Sequence, residues 1–76
     1  MTAAGRVAVL GERVRVEGYG LAGALVSPAD GPDEVRSAWE ALGDRAAVVV
    51  LTPAAAAVLK DARHRRPGVV TVVMPP

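Results

Sequence analysis

The chain has 76 residues, which suits a single domain (residues 1–76) and nothing larger. It contains no cysteine, which excludes disulfide staples and thiolate metal sites. Nine basic and eight acidic side chains give a net charge of +1, too balanced for a nucleic-acid footprint, and Trp39 and Tyr19 are the only aromatics on which bases could stack. A domain this small buries only about 60% of the surface its unfolded chain exposes, so a well-filled core or association with something else must support it.

No apolar run approaches the roughly 20 residues needed to cross a bilayer, and the start has no signal-peptide pattern. The expected location is the cytoplasm, with no direct membrane insertion.

In chain order, Arg6-Val7-Ala8-Val9-Leu10 reads as a strand ended by Gly11. Ala24-Leu25-Val26, before Ser27-Pro28, reads as a short edge strand. Asp30, Gly31 and Pro32 form a loop, with Asp33 as the capping candidate for the next helix. In that helix Val35, Ala38, Trp39 and Leu42 recur at helical spacing, and Gly43 ends it. Trp39 shares the stripe and is expected in the core.

Ala46-Ala47-Val48-Val49-Val50-Leu51 is continuously apolar, the pattern of a central parallel strand covered on both faces. Thr52 is a good N-cap and Pro53 suits the first helical position. Ala55, Val58, Leu59 and Ala62 should face the sheet, while Lys60, Arg63, His64, Arg65 and Arg66 crowd the helix end until Pro67-Gly68. Val69-Val70-Thr71-Val72-Val73-Met74 is the last strand, closed by Pro75-Pro76.

Residues 11–23 allow two readings. Arg6–Leu10 and Arg13–Glu17 alternate around Gly11-Glu12 as a β-hairpin would. Alternatively Val14, Gly18, Leu21, Ala22 and Leu25 line one face of a helix, weakened by Gly18 and Gly20 at about 1 kcal/mol each. The helix agrees better with the rest of the chain, because strands and helices alternate and parallel neighbours need a crossover.

The fold class is therefore α/β: a small open parallel four-stranded sheet of flavodoxin-like or receiver-like order 2-1-3-4, with three helices. The first helix lies on one face and the other two on the opposite face. The first helix cannot cover the sheet out to strands three and four. Alternate residues of 48–51 and 69–74 should then form an exposed apolar patch, a partner site. Val69, Thr71 and Val73, with the cations Lys60, Arg63, Arg65 and Arg66, are the candidate docking residues.

Candidate chemistry is thin. Gly18-Tyr19-Gly20-Leu21-Ala22-Gly23 matches G-x-G-x-x-G, but the dinucleotide fingerprint must follow a strand directly and open a long helix, and Pro28 comes too soon. A phosphoacceptor acid is missing where a receiver needs one, since the third strand ends Leu51-Thr52-Pro53. His64 lies among arginines at a solvated helix end without an orienting partner, and Ser27 has no nucleophile context. No catalytic residue, cofactor or metal ligand is expected.

Over about residues 6–74, the chain resembles the F-subunit family of V-type and A-type ATP synthases. The resemblance rests on the opening strand followed by Gly11-Glu12, and on a glycine–aromatic–x–Leu–Ala–Gly signature at Gly18, Tyr19, Leu21, Ala22 and Gly23. The acidic loop and charged helix of 30–42, and the buried strand ending in Thr52, are also similar. Two features depart from the family. Gly20 stands where a basic residue is usual, and residues 1–76 contain no counterpart of the family's C-terminal helical tail.

The resemblance implies a non-catalytic central-stalk subunit. Such a subunit docks on the coiled-coil rotor subunit and helps couple ATP turnover to ion transport, peripheral to the membrane. The alternative is a small homo-oligomeric α/β interaction or ligand-binding module unrelated to the ATPase.

Overall fold

A computed structural model describes residues 6–17, 24–66 and 68–76. Its spine is a fully parallel sheet in the order β2-β1-β3-β4. The strands are β1 (Val7–Gly11), β2 (Leu25–Pro28), β3 (Val48–Leu51) and β4 (Val70–Val73). The order 2-1-3-4 is the one the strand–helix alternation implies, and β2 is indeed an edge.

The hairpin reading of the N-terminal region is overturned. Arg13–Val16 forms a helix, α1, and β1 pairs in parallel with β2 and β3. The stripe expected on this helix also needs correction. Val16 is fully buried against Val9, whereas Val14 is 85% exposed and Leu25 belongs to β2. Because α1 starts immediately after the Gly11-Glu12 turn, Val16 is the side chain that meets the sheet.

Helix α2 (Pro32–Leu42) begins two residues earlier than an Asp33 cap would allow. Gly31 holds φ +89° at the cap position, a conformation that suits glycine, and Pro32 opens the helix. The acid that acts here is Glu34, whose carboxylate accepts the Asp30 N–H at 2.8 Å. Gly43 ends the helix at φ +50° and leads into a 3-10 turn, Gly43–Arg45.

The helical stretch after β3 is capped as its sequence indicates: Thr52 Oγ1 accepts the Ala55 N–H at 3.2 Å. It is not one continuous helix. At Leu59 (φ −94°, ψ 15°) it divides into α3 (Pro53–Val58) and α4 (Lys60–His64), so the described residues form four helices where three were expected. Leu59 itself is fully buried, and Ala55 beside it.

The two faces of the sheet differ in depth. On one, Ala8, Leu10, Val49 and Leu51 pack with Val35, Trp39 and Leu42 of α2, and with Ala55 and Leu59. This is the main core, and Trp39 lies in it as its spacing implied. On the other face a small cluster holds Val9, Val16 and Met74, with Val50 at its margin. Truncating a leucine such as Leu10 or Leu51 in the main core would cost about 2–5 kcal/mol.

Candidate interaction surface

Strand register decides which valines are covered. Val48 pairs with Val70 and Val50 with Val72, so these four side chains share one face. It is the face of Val9 and α1, because Val9 pairs with Val50. Helix α1 packs on β1 and β2, at the far side of the sheet from β4. Val70 is consequently 59% exposed and Val72 49%, with Val48 and Val50 half-buried between them and the Val9 cluster. Met74 continues the ladder past β4 and packs with Val9 and Val16 on this face, and the chain end is tethered where Arg15 Nη2 donates to the Pro75 carbonyl at 2.8 Å.

The expected patch is thus present, carried by Val48, Val50, Val70 and Val72. The candidates Thr71 and Val73 occupy the opposite face, since Thr71 pairs with Val49 and Val73 with Leu51 of the main core. Val69 precedes the strand and packs against that same core. The one-residue phase matters because side chains alternate along a strand, and the sequence alone does not fix which set a short helix leaves bare.

The basic cluster is also divided. Lys60 and Arg65 are exposed and Arg63 is half-buried. Arg66 turns inward: its guanidinium donates to the carbonyls of Trp39 and Gly43 at 3.5 and 3.4 Å and to Glu40 at 3.1 Å. It also lies 5.4 Å from the centre of the Trp39 ring. Arg66 therefore caps the end of α2, a structural task that sequence reasoning did not assign. The motif residues Gly18, Tyr19, Leu21, Ala22 and Gly23 lie outside the described residues.

In open α/β sheets the usual ligand site is the crevice at the carboxyl ends of the strands where the order reverses, here between β1 and β3. The chain's own groups fill part of it. Thr52 follows β3 and abuts Gly11, and its hydroxyl donates to the Glu12 carboxylate while Oγ1 accepts from Ala55. The Thr52 hydroxyl, and next the backbone N–H of Glu12 itself, hold the Glu12 carboxyl below the usual glutamate range. Asp30 accepts the Arg13 N–H at 3.0 Å, tying α1 to the loop after β2.

Beside this network, an open apolar cavity of about 220 Å³ lies between the starts of α2 and α3, lined by Val35, Ala54, Ala55 and Val58 with Glu12 at its edge. A second cleft of about 300 Å³ runs between α2 and α4 and is lined by charges of both signs, Arg36, Glu40, Asp61 and Arg65. Among the described residues, neither gathers an acid–base pair around a reacting position. Among the described residues, no group of three or more His, Asp or Glu side chains is placed to hold a metal ion, and no helix is long and apolar enough to cross a membrane. No family model matches the chain, and no curated protein or solved structure is significantly similar to it.

Proposed function

We propose that this chain is a non-catalytic docking subunit of the central stalk of a rotary V-type or A-type ATPase. It binds the helical rotor subunit through the bare face of β3 and β4 and helps couple ATP turnover to ion transport. The observation that carries this reading is the exposure of Val70 and Val72 beside Val48 and Val50, an apolar strip at the side of the sheet that α1 does not reach. A long helix with an apolar stripe is the complementary shape, because it completes the helix layer that α1 leaves unfinished.

Further support comes from the resemblance at residues 18–23 and from the Thr52–Glu12 hydrogen bond, in which two polar groups at the strand ends satisfy each other. Each half-exposed valine covered by the partner contributes about 1 kcal/mol. The test is to mix the purified chain with the coiled-coil rotor subunit of a V-type or A-type ATPase and follow the mass by light scattering. A stoichiometric complex is expected. A chain that stays free at micromolar concentrations of the partner would contradict the proposal.

A further inference from the structure

We propose that β4 pairs antiparallel with β4 of a second copy of this chain, about a two-fold axis through Val72. This surface is the strand's hydrogen-bonding edge and goes beyond the rotor contact, which uses the face of the sheet. The backbone supplies the argument. Val70 and Met74 donate inward to the carbonyls of Ala47 and Leu51, at 3.0 and 2.9 Å. In the alternate residues, Thr71 and Val73, the N–H and C=O groups therefore point outward from the last strand of the sheet.

The devices that normally blunt such an edge are absent from β4, whose sequence Val-Thr-Val-Val has neither a charge nor a proline. The opposite edge differs, because β2 ends in Pro28.

The neighbouring residues fix the register. The Val69 N–H is already bonded to the Arg66 carbonyl at 3.1 Å, and Pro75 has no N–H to give. An axis through Thr71 would set Val73 against Val69, and one through Val73 would set Thr71 against Pro75. With the axis at Val72, Thr71 faces Val73 of the second copy, and both donors and both acceptors of each chain find partners.

Side chains agree with this choice. The two Val72 side chains meet on the bare face, and Val73, 44% exposed, meets Thr71 of the second copy on the other. An uncharged strand opposes itself without placing like charges together, which makes a second copy the fitting occupant. A strand of four residues buries far less than the about 800 Å² per partner of a standard interface, so the pairing depends on concentration.

The test combines sedimentation equilibrium with residue-resolved amide exchange, from low micromolar to near-millimolar chain. Thr71 and Val73 amides should slow at least tenfold at the high end as a dimer appears, with Val70 and Met74 protected throughout. Thr71→Pro deletes one outward N–H and no bond to β3, so it should weaken the dimer at least tenfold while the Trp39 emission stays native. If that variant does not fold, the exchange of the parent chain decides alone. A chain that is monomeric throughout, or a dimer in which Thr71 and Val73 exchange as fast as in the monomer, would overturn edge pairing. Neither result bears on binding to a helical rotor, which is measured separately.

Discussion

Gly11 and Thr52 sit against each other where β1 and β3 end, so closely that a Cβ on Gly11 would fall 2.7 Å from the Cβ of Thr52. The close approach of the Thr52 side chain to the Gly11 backbone requires glycine, at the point where the strand order reverses. Gly11→Ala forces Thr52 away from both Glu12 and the start of α3. It should lower stability by about 1–3 kcal/mol, read as a lower urea midpoint in the fluorescence of the sole tryptophan, Trp39.

Thr52 itself links two elements through one hydroxyl. Thr52→Val keeps the shape and removes both the Glu12 bond and the α3 cap, at a cost of about 1–2 kcal/mol in denaturant unfolding.

The same bond gives stability a pH dependence. Glu12 is held below the usual glutamate range in the folded chain, so the unfolded chain binds its proton at higher pH. The contribution is complete above the ordinary glutamate value of about 4.3 and is lost as pH falls through the lower folded value. Urea midpoints measured at intervals below neutral pH should show this loss in the parent chain. Thr52→Val should show a shallower slope over the same window.

Arg66 is expected to act on the fold rather than on a partner. Arg66→Ala removes the donors to Trp39, Gly43 and Glu40 and should cost about 1–2 kcal/mol. Arg66→Lys should recover little, because one ammonium cannot reproduce a planar fork lying over an indole. Charge reversal at the exposed Lys60 and Arg65 should leave stability within about 0.5 kcal/mol, which the same melts would show.

Much of the fold was legible because the local signals agree with one another. Continuous apolar runs at 46–51 and 69–74, a Thr-Pro helix start and the stripe through Val35, Trp39 and Leu42 together imply a parallel order of 2-1-3-4. Three features were not legible. Alternation across 6–17 fits a hairpin as well as a strand and helix, and only pairing with a distant β3 decides it. The phase of the bare face depends on where the four-residue α1 sits, so Val69, Thr71 and Val73 stood in for Val48, Val50, Val70 and Val72. The inward turn of Arg66 arises from tertiary contacts with α2, 23 to 27 residues away, which a run of cations does not reveal.

If the bare face is the docking surface, it should tolerate polar residues in the free chain and not in a complex. Val70→Asp with Val72→Asp alters positions that are already exposed, so the variant should keep its native Trp39 emission. Its affinity for the coiled-coil rotor subunit should fall at least tenfold in calorimetric titration, since two carboxylates would be buried without partners.

The most direct test is a methyl NMR titration of the valine-labelled chain with that rotor subunit. Binding should shift Val48, Val50, Val70 and Val72 and leave Val35, Val58 and Val69, on the helix-covered side, in place. Shifts confined to the helix-covered side, or a spectrum unchanged by saturating rotor subunit, would contradict the account.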